Sequence, residues 1–550
     1  MSSQIKGENE YQIFGIPGAG KTTTLSQAVS NAANQVGGNN LIVSSFTRAA
    51  AQELVSRELP VPDNNVGTLH SLCYRALGTP ELAEKNIRKF NEEYPECGLT
   101  PKAHVDLDDV ATDDEEGVEG ESDAWFQEYK LSRAKLTPRE KWKPQVEHFA
   151  RKWEAWKEEN GYIDFTDMIE YALHELPYPP GAPQIGIFDE AQDFTPLQLK
   201  LIRTWANQLQ YILIAGDDDQ SLFSFTGADP DVLTKADVPQ ERKRILSQSF
   251  RVPRIIQEHA QRWIEKITDR EPKEQYPRQQ DGEYVEGSIE RLPAHYKEAE
   301  KVVDQVERSL SELASNQEVM VLTSCSYMLT PAIKELRRRG IPFGNRYKRR
   351  RGDWNPLRTG QKSTSSAARV LAYLQPEGPK FRDHTLWTSG QLAKWIELCN
   401  SKGLLRQGAK KRIQEAASEE LSKKGLFELI GNSFIPEKLD EAVQLDLDWL
   451  YRHLTSTKAS SIEFPFAVIK KRGAEELKKE PRVLVGTIHS VKGGQADHVI
   501  LFPDISYRGA QYAECRKGRD DTIRQFYVGM TRAREKLIIG DPRTQLHIPI

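Results

Sequence analysis

The chain has 550 residues, of which 38% are hydrophobic and 28% are charged. At about 150 residues per domain this length predicts three to four domains, and the composition excludes a membrane protein and a chain that is disordered throughout. Lys and Arg number 76 and Asp and Glu 80, so the net charge of −4 does not indicate a nucleic-acid partner; local basic patches would have to bind one.

The cysteines and the N-terminal segment indicate the cellular compartment. Five cysteines are an odd number and no two are spaced as CxxC, so we expect reduced thiols and not metal ligands. The first ten residues lack the hydrophobic core of a secretory signal, and no apolar run approaches the roughly 18 residues of a membrane-spanning helix. We therefore expect a cytoplasmic protein with no membrane partner.

Strand and helix patterns alternate from residue 11 onward. Apolar runs at 11–14 and 41–46 are each followed by a helical pattern, at 25–33 and 48–57. This alternation is typical of the βαβ units of a parallel sheet. Strand patterns return at 185–188, 211–215, 244–246, 319–322, 483–486, 499–502 and 537–539.

Two longer stretches differ from this pattern. Residues 79–180 are polar and rich in Trp, and residues 375–480 read as helical with many Lys and Glu. The acidic run at 106–123 is expected to be a solvated loop, with a DNA-mimicking or partner-binding tail as the alternative. We predict two α/β lobes, each with a mainly helical insertion. The predicted division is 1–78 with 180–250 (first lobe), 79–179 (insertion with the acidic loop), 251–374 with 481–550 (second lobe) and 375–480 (second, shorter insertion).

A phosphate-binding loop follows the first strand and opens a helix. The sequence GIPGAGKT at 15–22 matches GxxxxGK[ST]. Glycines allow backbone N–H groups to surround a phosphate, and the helix N-terminus adds partial positive charge. Lys21 would reach the β- and γ-phosphates and Thr22 would ligate Mg²⁺. The predicted nucleotide site consists of Gly15, Gly18, Ala19, Gly20, Lys21, Thr22 and Thr23.

The sequence IGIFDEAQD at 185–193 supplies the acidic partner of that loop. Its apolar run predicts a strand, and its acids follow at the carboxyl end, where parallel α/β sheets bind their ligands. Asp189 is predicted to hold Mg²⁺, directly or through water. Glu190 is predicted to polarise the attacking water as a general base.

Seven further short motifs lie along the chain, three of them between the phosphate-binding loop and residues 185–193. The seven are FTRAAA (46–51), GTLHS (67–71), DFTD (164–167), GDDDQSLF (216–223), QSFR (248–251), TIHSVKG (487–493) and YVGMTRA (527–533). With the two motifs above, this set resembles the UvrD/Rep group of superfamily 1 DNA helicases, from Gly15 to Arg532. The resemblance implies an α/β fold with two RecA-like P-loop motor domains, each with a mainly helical insertion.

The resemblance also implies an ATP site between two lobes. Arg251 and Arg532 stand where the family has its two arginine fingers, which act on the γ-phosphate from the second lobe. Gln220 would sense the γ-phosphate and connect it to the DNA groove. Phe250 would stack on adenine and Gln495 would contact the ribose. Hydrolysis would then depend on closure of the lobes.

Contacts to single-stranded DNA need stacking faces and phosphate contacts. Phe46, Thr47, His70, Phe225 and His489 lie in motifs similar to those that the family uses along single-stranded DNA. The stretch at 345–354 interleaves basic and aromatic residues. A phosphate-gripping surface is predicted there, with a solvated charged face as the alternative. Its basic members are Arg349, Arg350 and Arg351.

The chain departs from the family pattern at three places. Only 14 residues precede Gly15, and Gln4 is a poor match to the adenine-reading glutamine of the family, so the resemblance does not establish adenine specificity. The motif that usually ends in WRGA reads FTGA here, which keeps an aromatic ring and loses an arginine. Gln495 stands where the family has a glutamate, so it keeps hydrogen bonding without the charge.

The resemblance implies an ATP-dependent DNA helicase that moves 3′ to 5′, with ATP and Mg²⁺ as cofactors. Single-stranded DNA and tailed duplexes are the implied partners, and a protein that loads the chain onto DNA is a further candidate partner. The chain itself is expected to be a monomer or a weak oligomer. One alternative is a translocase without strong unwinding, the motor of a repair, phage-replication or defence complex. A P-loop kinase or nucleotide-switch protein is another, but it would need neither the paired arginines nor the Gln220 motif.

Overall fold

The computed structural model describes residues 9–46, 59–101, 120–348, 351–359, 363–419 and 421–550. These residues form an α/β structure with two six-stranded sheets and many helices, which confirms the predicted fold class. Among them, no helix has both the length and the apolar character needed to cross a membrane. The helical pattern at 48–57 lies outside the described residues.

The predicted apolar runs all form strands. The strands are β1 Glu10–Gly15, β2 Leu41–Ser45, β3 Val66–Gly67, β4 Ile185–Asp189, β5 Tyr211–Gly216, β6 Lys243–Leu246, β7 Gln279–Gln280, β8 Glu283–Tyr284, β9 Ser288–Leu292, β10 Val319–Thr323, β11 Phe343–Gly344, β12 Lys380–Phe381, β13 His384–Thr385, β14 Val483–Thr487, β15 Ala496–Leu501 and β16 Ala533–Gly540. Within the described residues, the structure adds to the predicted runs β9, of five residues, and six strands of two residues each.

The described α-helices connect these strands or fill the predicted insertions. They are Lys21–Val36, Leu69–Ala76, Ile87–Glu93, Glu121–Ala134, Pro144–Asn160, Phe165–Glu175, Pro196–Ala206, Asp231–Thr234, Arg254–Ile264, Ala299–Glu312, Thr330–Arg338, Ser366–Leu374, Ser389–Ile396, Ala409–Glu415, Lys423–Ser433, Pro436–Ala442, Leu447–Arg452, Ser456–Arg472, Tyr507–Ala513 and Arg516–Met530.

The first sheet is parallel throughout and has the strand order β3-β2-β4-β5-β1-β6. Its register aligns the strand ends: Phe14 pairs with Gly216, and Ser45 pairs with Asp189. β2 and β4 are buried at every position, as expected for strands covered by helices on both faces. The segments after β1, β2, β4, β5 and β6 therefore meet at one edge of this sheet.

The chain divides into two compact units. The first comprises 1–293, 322–326 and 487–550, and it holds the first sheet and the parallel strands β15, β16 and β9 in that order. The second comprises 294–321 and 327–486. It contains the pair β11–β14 and a helical core that includes Trp387 and Trp395. The four-part division drawn from the sequence stays a prediction.

The helical stretch within 79–179 has an aromatic core. Phe90, Phe126, Trp153 and Trp156 are fully buried, and the rings of Phe126 and Trp153 lie 4.8 Å apart between centroids. The acidic run at 106–123 differs in part from the predicted solvated loop. Its residues 106–119 lie outside the described residues. Asp123, however, belongs to the helix Glu121–Ala134, where it is buried because its carboxylate accepts hydrogen bonds from Thr100.

A buried charge cluster centred on Arg133 ties these helices together. Its guanidinium contacts Asp164 at 3.0 Å and Asp167 at 2.6 Å, and it also binds Glu170. Lys157 adds a second buried cation beside Asp164. The two aspartates also cap the helix Phe165–Glu175 through reciprocal side-chain and backbone hydrogen bonds. Removing one cation would leave carboxylates buried without full compensation.

We predict that Arg133→Met lowers the free energy of unfolding by about 3–5 kcal/mol, the usual cost of breaking a buried ion pair. Arg139→Met is the matched control, because Arg139 pairs with Glu147 and Glu154 but its side chain is 45% exposed. An exposed pair is worth at most about 1 kcal/mol. Urea denaturation followed by tryptophan fluorescence measures both. Equal losses in the two variants would contradict the prediction.

Candidate nucleotide and nucleic-acid sites

The phosphate-binding loop lies between β1 and the helix Lys21–Val36. Gly18 and Gly20 have φ of +75° and +74°, the left-handed region that favours glycine. The Lys21 ammonium donates a hydrogen bond of 2.6 Å across the loop to the Gly15 carbonyl. Withdrawal from solvent lowers the pKa of Lys21, and the nearby carboxylates of Asp217 and Glu190 oppose that shift. The loop therefore already holds its cation next to the acids of the sheet edge.

Residues 249–251 pack directly on this loop. The Phe250 amide donates to the Gly18 carbonyl at 2.8 Å, and the Ser249 hydroxyl donates to the Pro17 carbonyl at 2.8 Å. A Cβ atom on Gly18 would lie 2.5 Å from the Cβ of Arg251, so only glycine allows this approach. The ring of Phe250 is 70% exposed beside Gly20. The Arg251 guanidinium extends to Gln495 and donates to its side-chain amide oxygen at 2.9 Å.

The acids at the end of β4 lie at the same edge of the first sheet as the phosphate-binding loop. Asp189 is buried, and Glu190 follows it with a left-handed φ of +57°. Gln192 donates to the Glu190 carboxylate, and the Lys492 ammonium lies 3.5 Å from it. Withdrawal from solvent acts to raise the pKa of Glu190, but Lys492 and Lys21 outweigh it and hold the pKa below its ordinary value. Glu190 is thus ionised at neutral pH.

Lys492 also contacts Asp193, the last acid of the DEAQD sequence. Withdrawal from solvent raises the pKa of Asp193 to about 6 although Lys492 opposes the shift. The same ammonium lies 5.3 Å from the centre of the Phe223 ring. Lys492 therefore stands between the acidic edge and an aromatic surface.

Gln220 and Arg532 form a buried pair. Arg532 is 1% exposed, and its guanidinium donates to the carbonyls of Val528 and Gly494, to the Thr531 hydroxyl and to the side-chain oxygen of Gln220, the last at 2.9 Å. The Gln220 amide nitrogen donates to the Asp217 carboxylate at 2.6 Å. The orientation of this amide is settled, because a guanidinium only donates and a carboxylate only accepts.

Three consecutive buried aspartates, Asp217, Asp218 and Asp219, follow β5. Their oxygens lie close enough together to suggest a cation site. The cation there is the ammonium of Lys273, at 2.7, 2.5 and 2.9 Å from the three carboxylates. Arg270 adds a two-pronged contact to Asp219.

Four rings form an aromatic cluster, which consists of Phe46, Phe223, Phe225 and His489. Phe223 lies 5.1 Å from Phe46, 5.9 Å from Phe225 and 6.2 Å from His489 between ring centroids. Phe225 is 39% exposed, whereas Phe223 is buried. The partly exposed ring of Phe225 therefore packs against the buried ring of Phe223.

The structure thus brings most of the predicted site residues together. The residues assigned to the nucleotide meet at the edge of the first sheet, together with Thr22 and Asp189, whose oxygens are the donor type that Mg²⁺ prefers. The left-handed glycines leave the loop free of side chains, as a phosphate requires. All of them belong to the first compact unit. A magnesium nucleotide fits this set of residues.

The predicted DNA-binding residues do not all lie together. Phe46, Phe225 and His489 lie in the aromatic cluster. The ring that contacts His70 is Phe165, at 6.5 Å, and withdrawal from solvent lowers the pKa of His70 to about 4, so the ring is neutral at pH 7. Thr47, Arg349 and Arg350 lie outside the described residues, as does Gln4. Arg351, in the second unit, pairs with Asp353 and lies 4.1 Å from the Trp354 ring centre.

Sequence reasoning missed several residues of these sites. The missed residues inside quoted motifs, whose spacing could have indicated them, are Gln192, Asp193, Asp217, Asp218, Asp219, Phe223 and Lys492. Lys273 lies in an irregular connection between the helix Arg254–Ile264 and β7, and no pattern in the sequence marks it.

Comparison with known proteins agrees with this arrangement. A family model described as the UvrD/REP helicase N-terminal domain matches residues 3–241, and one for the UvrD-like helicase C-terminal domain matches 482–539. The chain is 24% identical over 281 residues to the putative ATP-dependent DNA helicase YjcD of Bacillus subtilis, which covers 46% of this chain and 36% of that protein.

Two further relatives give similar values. A probable DNA helicase II homolog of Mycoplasma pneumoniae is 25% identical over 291 residues, which covers 46% of this chain and 39% of the relative. The ATP-dependent DNA helicase PcrA of Staphylococcus aureus is 24% identical over 334 residues, 56% of this chain and 44% of the relative. The matched stretches span less than half the length of each relative.

Proposed function

We propose, from the premise that the chain belongs to the UvrD/Rep-like helicase family, that it uses ATP hydrolysis to move 3′ to 5′ along single-stranded DNA and to unwind tailed duplexes. One observation carries the proposal. The segment 217–225 supplies Gln220 to the nucleotide edge and Phe223 and Phe225 to the aromatic cluster. Two sites that share one short segment can influence each other.

At the nucleotide edge each side chain has a distinct task. Lys21 would leave the Gly15 carbonyl and bind the β- and γ-phosphates, while Thr22 and Asp189 would hold Mg²⁺, which neutralises phosphate charge when bound. Glu190 would orient and deprotonate the attacking water, and its lowered pKa keeps it able to accept the proton. Gln192 and Lys492 fix the direction of its carboxylate.

Arg251 and Arg532 would provide positive charge where negative charge develops. Hydrogen bonds to the Val528 and Gly494 carbonyls and to the Gln220 side chain locate the Arg532 guanidinium, whose positive charge would act on the γ-phosphate. Arg251 is placed by the contact between residues 249–251 and the phosphate-binding loop. Phe250 offers an exposed face for the base of the nucleotide beside Gly20.

At the aromatic cluster, the exposed ring of Phe225 would stack on a base of single-stranded DNA. Stacking tolerates any sequence because every base has a flat face, which suits a protein that moves along a strand. Phe223 and His489 contact this ring edge-on, and Phe46 packs on Phe223. Binding at Phe225 would act on Gln220, five residues earlier on the same segment.

We predict that Glu190→Gln slows ATP hydrolysis at least about 100-fold, as expected for loss of a general base, while a nonhydrolysable ATP analogue still binds. Arg532→Lys keeps the charge but not the forked donors, and should lower kcat by about 1,000-fold or more with little change in nucleotide affinity. Steady-state ATPase assays with single-stranded DNA measure both.

Arg534→Lys is the control for the second variant, because Arg534 is two residues away, its side chain is 42% exposed and it pairs with Asp497. It should keep wild-type turnover. Full DNA-stimulated turnover in Arg532→Lys would contradict the proposed role of Arg532.

The stacking role predicts that Phe225→Ala weakens binding of oligo(dT) by about 5- to 150-fold, equivalent to about 1–3 kcal/mol for one stacked base. The slope of affinity against salt should not change, because an aromatic ring releases no counterions. Fluorescence anisotropy at two salt concentrations measures both quantities. Tyr178→Ala removes an aromatic ring that is 55% exposed elsewhere in the first unit and should bind as the wild type does. Equal effects of the two substitutions would show that Phe225 does not stack.

Direction and unwinding are tested with duplexes that carry a 3′ tail, a 5′ tail or no tail. The purified chain with Mg²⁺ and ATP is expected to separate the 3′-tailed duplex fastest. Faster separation of the 5′-tailed duplex would reverse the proposed direction. DNA-stimulated ATPase without strand separation would favour a translocase that serves a larger complex.

A further inference from the structure

The ammonium of Lys273 is enclosed by three carboxylates. Lys273, Asp217 and Asp219 are buried, and the lysine side chain has no exposed surface. Withdrawal from solvent acts to lower the pKa of Lys273, but the aspartates outweigh it and raise the pKa well above its ordinary value. The lysine is therefore charged at neutral pH, as the cation of this cluster.

The three aspartates are held in different ways. Asp219 binds Arg270 through both of its oxygens. Asp218 accepts a hydrogen bond from the backbone amide of Glu271 at 2.9 Å. Asp217 directs one oxygen to Lys273 at 2.7 Å, where it also accepts a longer hydrogen bond of 3.3 Å from the Asp219 backbone amide, and the other oxygen to the amide of Gln220. Of the three carboxylates, the Asp217 carboxylate alone joins the lysine to a side chain of the nucleotide edge within the described residues.

Asp217 also connects to the general base. Its backbone amide donates to the side-chain oxygen of Gln192 at 2.9 Å, and Gln192 donates in turn to the Glu190 carboxylate. A change in the position of Asp217 would therefore reach Gln220 by one route and Glu190 by another. Lys273 binds Oδ1 of Asp217, an atom that takes part in neither of these two connections.

We propose that Lys273 is a positioning residue for Gln220, and this inference rests on the proposed ATPase function. Lys273 fixes the plane of the Asp217 carboxylate, which receives the Gln220 amide nitrogen and so directs the Gln220 oxygen to Arg532. Without Lys273, repulsion from Asp218 and Asp219 would turn the Asp217 carboxylate, and Gln220 would lose its fixed direction. The lysine itself touches no nucleotide.

A charge-matched pair of double variants separates positioning from simple stability. Lys273→Met with Asp218→Asn removes one cation and one anion and breaks the contact to Asp217. Arg270→Met with Asp219→Asn removes the same charges from the same cluster, but it keeps the connection from Lys273 through Asp217 to Gln220. Thermal unfolding of the nucleotide-free proteins shows whether the two variants are destabilised to a similar extent.

The first double variant is expected to lower kcat of the DNA-stimulated ATPase at least about 10-fold, with a change in KM for ATP below about 3-fold. It should also lose preference for a nonhydrolysable ATP analogue over ADP, because Gln220 would no longer meet the γ-phosphate. The control variant should keep kcat within about 2-fold and keep that preference. Equal kcat values in the two variants, whether both low or both normal, would overturn the inference.

If the first double variant fails to fold, two isosteric single variants test the same connection. Asp217→Asn cannot accept from both Lys273 and Gln220, because its amide nitrogen donates, and it should lower kcat and the analogue preference. Asp219→Asn should leave both unchanged. Normal kcat in Asp217→Asn would overturn the inference. A wild-type protein without DNA-stimulated ATPase would instead overturn the proposed function.

Discussion

The hydrogen bond from Arg532 to Gln220 joins residues 312 positions apart, and both side chains are buried. It connects the segment after β5 to the residue just before β16, at the proposed nucleotide site. A buried guanidinium needs acceptors, and breaking a buried charged contact is costly. The contact fixes the Gln220 side chain, and the aromatic rings of Phe223 and Phe225 follow Gln220 on the same segment.

The acidic character of the sheet edge explains why so many cations converge there. Asp189 ends β4, Glu190 and Asp193 follow it, and the three aspartates follow β5. Lys21, Lys273 and Lys492 each neutralise a different part of this charge. Lys273 is enclosed, whereas Lys21 bonds to a loop carbonyl that a phosphate can replace. The edge therefore combines a fixed part with a part that can respond to a nucleotide.

The sequence predicts much of this arrangement because its motifs are local. The glycines of the phosphate-binding loop, the acids after β4 and the runs that become β1, β2, β4 and β5 each carry a short-range pattern. Lys273 carries none, since its burial results from the contact of an irregular connection with the three aspartates that follow β5. Asp123 was expected in a solvated loop, because a run of acids shows charge but not the partner, here Thr100, that draws one member inside. The contact of His70 with Phe165 likewise follows from folding and not from its motif.

Coupling between the nucleotide edge and the aromatic cluster is the central claim, and a linkage measurement tests it most directly. The affinity for oligo(dT) is measured with and without a saturating nonhydrolysable ATP analogue and Mg²⁺, and the affinity for the analogue with and without oligo(dT). Linkage requires that the two ratios be equal, and coupling of about 1–3 kcal/mol makes each about 5- to 150-fold. We predict equal ratios in that range. Ratios of one, with both ligands bound, would contradict the account.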